Sequence, residues 1–105
     1  MNNVLPPTRG TDLKFCVTAD LGDNIHLDDV DFTCRFFRSG LNNGQTVEKK
    51  DMARISEDEY LAVVDTKVIG SGEYYMVFSA KIPDSDMPDG FRDEVVTVPT
   101  GINVK

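Results

Sequence analysis

An antiparallel all-β sandwich of about seven short strands is the fold class this sequence predicts. Three observations carry it. Short runs that alternate apolar with polar residues recur along the 105-residue chain. Clusters of Gly, Pro, Asn and Asp punctuate those runs at regular spacing, as turns between strands require. No stretch keeps a helical period over a useful length, which argues against an α/β arrangement. The most telling run is VDTKVIGSGEYYMVFSAKI, Val64 to Ile82, where a two-glycine corner feeds a long alternating strand. Glycine lets the backbone turn through positive φ, and Tyr74, Met76, Phe78, Ala80 and Ile82 then fall on one face.

The elements follow in order. Met1 to Arg9 contains the Pro6-Pro7 pair, which lacks donor N–H groups and cannot enter a sheet interior. Residues 1–10 therefore read as an extended arm, and residues 11–105 as the sandwich. Thr11 to Ala19 sets Leu13, Phe15 and Val17 against Asp12, Lys14, Cys16 and Thr18, which makes it the first strand. An acidic loop with a central glycine follows. Val30 to Arg38 alternates Val30, Phe32, Cys34 and Phe36 against Asp31, Thr33, Arg35 and Phe37. Asn43-Gly44 favours a tight hairpin into a short strand at Thr46 to Lys49, and Met52 to Ile55 supplies another. Tyr60 to Asp65 is apolar on both faces, the pattern of a central strand covered on both sides or of one exposed to a partner. A single helical turn is expected between Asp65 and Gly72, before the long strand Glu73 to Ile82. Pro-Asp-Gly chemistry then turns the chain into Arg92 to Val98, with Pro99 limiting that strand and Gly101 to Lys105 adding an edge segment.

Composition narrows the function classes. Eighteen acidic residues against 11 basic ones give a formal net charge of −7, a field that repels phosphate backbones. No nucleic-acid partner is expected. Apolar runs fall far short of the ~20 residues that span a bilayer, and MNNVLPPTRG lacks the layout of a secretory signal, so no membrane partner is expected and assembly in a cytoplasm is. Cys16 and Cys34 stand in alternating strands and outside any CxxC or Cys/His cluster. An oxidised pair stays geometrically open, but two small buried hydrophobes is the favoured reading.

Catalytic and metal motifs are sparse. Asp84, Asp86 and Asp89 before Gly90 bring carboxylates together as hard-cation sites require, yet Met87-Pro88 interrupts them and the spacing departs from the EF-hand loop. A solvated hairpin turn is the expected role. Asp20, Asp23, Asp28, Asp29 and Asp31 read as a charged rim that keeps a loop soluble. His26, the one histidine, lies beside Asp28 with no nucleophile and supporting triad to serve. Thr8-Arg9-Gly10 and Phe91-Arg92 read as surface or corner residues. An enzyme would need Asp20, His26 and Asp86 to converge, and none is expected; no cofactor and no metal is assigned. The outer face of the long strands is more suggestive, because Phe37, Tyr75 and Val77 alternate with core residues where polar groups belong. Such a face is either covered by the chain's own N-terminal arm or buried against a neighbouring subunit, and Phe37, Tyr75 and Val77, together with Val4, Leu5, Pro6 and Pro7 of the arm, form the candidate interface.

The run Gly70-Ser71-Gly72-Glu73-Tyr74-Tyr75-Met76 resembles the corner that opens strand F of immunoglobulin-like domains, where a small-residue turn precedes Tyr-x-Cys. Met76 stands where that cysteine would be, with Cys16 on the implied strand B and Phe36 on strand C: a disulfide-less immunoglobulin-like sandwich. Over nearly the whole chain the order of segments resembles the small immunoglobulin-like virion proteins of tailed bacteriophages and prophages of Bacteroides-type hosts, and more distantly the amino-terminal sandwich of baseplate upper proteins. Tyr60 to Asp65, Gly70 to Tyr74 and Ile82 to Arg92 carry most of that resemblance. It implies a virion structural protein, expected as an auxiliary or decoration module docked on a capsid, with a tail, baseplate or fibre-attachment module as the alternative. The implied partners are other virion proteins, with a homo-oligomer left open. A carbohydrate- or ligand-binding sandwich is a further alternative, against which the absence of tryptophan counts. Deleting Met1 to Arg9 is expected to weaken docking and spare the fold; truncated protein that co-purifies with particles at full occupancy would remove the arm from the interface.

Overall fold

The computed structural model describes residues 10, 12–22, 24–38 and 44–105. The expected arm with Val4, Leu5, Pro6 and Pro7, together with Thr11, Asp23 and the hairpin residues Ser39 to Asn43, lies outside the described residues. Seven strands are present among them: β1 (Asp12–Thr18), β2 (Asp31–Arg38), β3 (Gly44–Glu48), β4 (Ala53–Ser56), β5 (Glu59–Asp65), β6 (Gly72–Pro83) and β7 (Phe91–Val104). One short helix, α1 (Thr66–Ile69), and single 3₁₀ turns at Leu27–Asp29 and Lys49–Asp51 connect them. The strands form two antiparallel sheets, ordered β1-β5-β4 and β3-β2-β6-β7. This order matches the B-E-D and C′-C-F-G sheets of the immunoglobulin arrangement.

Alternation decides which side chains enter the core. Phe32, Cys34 and Phe36 of β2 are buried, and their register partners on β6 are Ala80, Phe78 and Met76. Across the sandwich, β1 and β5 bring Phe15, Val17, Tyr60, Ala62 and Val64 to face them. The rings interlock: Phe15 stacks on Phe36 at 4.7 Å, Phe32 meets Tyr60 edge-on at 5.3 Å, and Phe32 stacks on Phe78 at 5.6 Å. Each such pair contributes about 0.5–1.5 kcal/mol beyond the area it buries.

The corner between β5 and β6 forms as the sequence predicts. Asp65 caps α1 by accepting the Lys67 N–H at 2.8 Å, and Gly70 ends the helix at φ 97°. The buried Tyr74 hydroxyl then donates to the Gly70 carbonyl at 2.5 Å, the tyrosine corner of this architecture. Arg38 lies across the turn and donates to the Ser71 carbonyl at 2.9 Å. A Cβ at Gly70 would sit 3.2 Å from its guanidinium carbon, so both φ and space require glycine there.

Two expectations are corrected and one open alternative is decided. Pro99 does not end a strand: β7 continues through it to Val104, with a register shift opposite Glu73 and Tyr75. It is tolerated because β7 is the outermost strand of its sheet, where a missing donor disturbs one neighbour at most. β5 is central in its sheet with one face covered and Val63 on the other 47% exposed, which sets aside the doubly covered strand and leaves the reading of a face exposed to a partner. Cys16 is not a buried hydrophobe. It points outward, opposite to Phe15 and Val17, whereas Cys34 is buried, and both thiols are free. The smaller sheet also leaves part of β7 uncovered, so Val96, paired with Phe78 on the inward face, is 46% exposed beside Leu21, Met76 and Val98.

Tyr74→Phe removes the corner bond and leaves the Gly70 carbonyl unpaired in the core. A loss of about 1–2 kcal/mol in chemical denaturation is expected. Unchanged stability would mean that the corner bond contributes nothing net.

Candidate functional site

The outer face of the four-stranded sheet is where the register gathers the candidate interface residues. Phe37 pairs with Tyr75 and Arg35 with Val77 across β2 and β6, and Thr97 and Pro99 continue the rows onto β7. The Phe37 and Tyr75 rings stack at 5.8 Å, and the Arg35 guanidinium lies 5.3 Å from the Phe37 ring centre. All three outer apolar residues are half-buried through these mutual contacts, and Val95 on the same face of β7 is 64% exposed. Apart from Arg35 the centre of the face carries no charge. The described residues of an acidic molecule thus include a nearly neutral sheet centre built around an aromatic pair, a composition that suits an interface centre.

A second polar centre closes one end of the sandwich. Asp28, in the first 3₁₀ turn, accepts two bonds from Arg54 on β4, with Nε at 2.9 Å and Nη2 at 2.7 Å. It also accepts the Tyr60 hydroxyl of β5 at 2.5 Å. The Arg54 guanidinium, then the Tyr60 hydroxyl, hold the Asp28 carboxyl down at about 2. The same bond raises Tyr60 above its ordinary value, since ionisation would set two anions together. Lys49, opening the second 3₁₀ turn, sends its ammonium to the Asp28 and Val30 carbonyls at 2.9 and 2.8 Å, over the Phe32 and Tyr60 rings. Asp28 is therefore a structural hub and not a rim residue. Sequence reading missed Arg54, Tyr60 and Lys49 as its partners, because the contacts to Arg54 and Tyr60 span 26 and 32 positions and carry no local signal.

His26 lies on the same side of the molecule. Its Nδ1 is 3.0 Å from both Asp58 oxygens and 3.8 Å from Glu57, and the Asp58 hydrogen bond raises its pKa against a smaller lowering by desolvation. Asp20 and His26 do line one open depression of about 840 Å³, but Asp86 is not among its walls and sits on the β6–β7 hairpin. There Asp84 accepts the Asp86 N–H and an Arg92 bond, and Asp89 accepts the Phe91 N–H, so these acids bind their own turn. Asp20 and Asp29 likewise accept the Gly22 and His26 N–H groups. Burial raises the Cys34 thiol to about 12, which leaves it inert as a nucleophile at neutral pH. No family model, curated protein or solved structure matches this chain.

Because the folded Asp28 carboxyl sits below its ordinary 3.8, its contribution is complete above that value and is lost as pH falls from about 4 to about 2. Melting temperature in that window is expected to fall more steeply for the native chain than for Asp28→Asn. Parallel curves would show that the Arg54 and Tyr60 bonds do not depend on the charge.

Proposed function

We propose that this chain is a structural docking module of a bacteriophage virion, an auxiliary or decoration protein carried in many copies on a capsid. The outer face of the β3-β2-β6-β7 sheet is its contact surface. One observation carries this reading: the Phe37–Tyr75 stack and Val77 stand on the side of a sheet that solvent would normally make polar, in a molecule whose acids are otherwise spread over loops and edges. The occupant of that face is a neighbouring virion protein presenting an apolar, uncharged patch. An acidic patch would add only the single Arg35 pair, and a basic one would set like charges together over the rings. The acidic remainder of the surface keeps unassembled copies apart by mutual repulsion. The resemblance of the segments Tyr60 to Asp65, Gly70 to Tyr74 and Ile82 to Arg92 to small virion proteins supports the same assignment.

The test is whether the protein is a component of particles. Mass spectrometry of gradient-purified particles from cells that produce the chain is expected to find it at many copies, and the double variant Phe37→Ser, Tyr75→Ser at a small fraction of that. The isolated variant should remain folded with a moderately lowered melting temperature, since both rings lie outside the core but lose their mutual stack. Absence of the native chain from particles rejects the virion assignment, whereas full occupancy by the double variant moves the contact to another surface.

A further inference from the structure

Two loops at one end of the sandwich meet with their backbones already tied together. The Asp28 N–H donates to the Glu57 carbonyl at 3.0 Å, which fastens the β1–β2 loop to the β4–β5 turn, and the Asp58 N–H rests on Ser56 Oγ at 3.4 Å. That tie carries His26 into one group with Glu57 and Asp58, more than 30 positions further along the sequence. Among the described residues it is the group of three or more His, Cys, Asp and Glu side chains whose donor atoms all lie within 4.8 Å of one another.

The geometry is that of ligands around one small ion. Donors held about 2.0–2.2 Å from a first-row metal lie about 3 Å from one another at right angles and about 3.5 Å at tetrahedral ones. His26 Nδ1 and Asp58 Oδ2 are at 3.0 Å without movement, and Glu57 Oε1 at 3.8 Å is on a side chain 59% exposed and free to rotate inward. A hydrogen-bonded histidine alone would account for Asp58 but not for the second carboxylate. Even a protonated ring leaves the three groups with one negative charge in excess, and Asp29 adds to it from the backbone side of His26. A divalent cation reverses that balance. The group borders the open depression walled by Asp20, Asn24 and Ser56, which leaves room for water in the remaining positions of a coordination shell.

We propose that His26, Glu57 and Asp58 bind one divalent transition ion of the zinc and nickel class, and that the ion staples the β1–β2 loop to the β4–β5 turn. The imidazole sets the class, because nitrogen donors favour these ions over magnesium and calcium. The acidic hairpin at Asp84 to Asp89 forms no comparable group among the described residues, and the Asp84 and Asp89 carboxylates are engaged by backbone N–H groups and Arg92.

The test titrates zinc chloride into the full chain after chelator treatment, by calorimetry, with magnesium and calcium chloride as parallel arms. Saturable one-to-one zinc binding is expected. His26→Ala and Asp58→Asn should each weaken it at least about tenfold, the loss typical even of an outer-shell partner. Cys16→Ser should leave it unchanged, which separates this site from the exposed thiol beside Glu59. Zinc should also raise the melting temperature of the native chain and not that of His26→Ala, a readout that holds if the variant starts from lower stability. Absence of saturable zinc binding, undiminished binding in His26→Ala, loss in Cys16→Ser, or an equal response to calcium would each overturn the proposal.

Discussion

The structure depends on aromatic rings meeting between its two sheets. In an immunoglobulin-like sandwich a disulfide packed on tryptophan commonly holds the layers together, and this chain has neither. Its place is taken by Phe15 on Phe36 and by Phe32 between Tyr60 and Phe78. Both inward β2 rings take part, so β2 is the strand through which the larger sheet grips the smaller one. Everything attached to the sheets inherits its position from that grip, including the corner at Gly70 and the loops at the opposite end.

At that end the chain solves a different problem. Loops that close a sandwich carry carbonyls and hydroxyls that must find partners as water is excluded. Lys49 supplies donors to two carbonyls at once while its stem covers the Phe32 and Tyr60 rings, and Asp28 answers the Tyr60 hydroxyl. The same closure fixes the loop backbones, and fixed backbones are what hold His26 against Glu57 and Asp58. Core packing, loop order and the proposed metal site therefore form one chain of cause.

The long surfaces differ in what they expose and in what guards them. β7 is an outermost strand of 14 residues with exposed Val95 and Val96, the kind of edge that recruits other strands. It is guarded by Arg92, Asp93 and Glu94 at one end and by Pro99 further along, each of which obstructs uncontrolled pairing. The outer face beside it has no such guard at Phe37, Tyr75 and Val77. That contrast is the physical basis for placing the proposed contact on the face and not on the edge.

Much of the architecture was legible in the sequence because its causes are local. Period-two alternation named the inward residues of β1, β2 and β6, and the glycines with Tyr74 announced the corner through backbone conformation alone. Tertiary context overrode a local rule at Pro99, which was absorbed by an outermost strand, and it decided between the two readings of β5 by leaving Val63 on an open face; Cys16 followed alternation to the outward side, so the expectation of a buried thiol there failed against the local rule itself. Which sheets the strands joined, and which acids became partners of Arg54 or His26, was decided only by the fold. Alternation is encoded in adjacent residues, but a charge pair between loops exists only after packed strands have set those loops side by side.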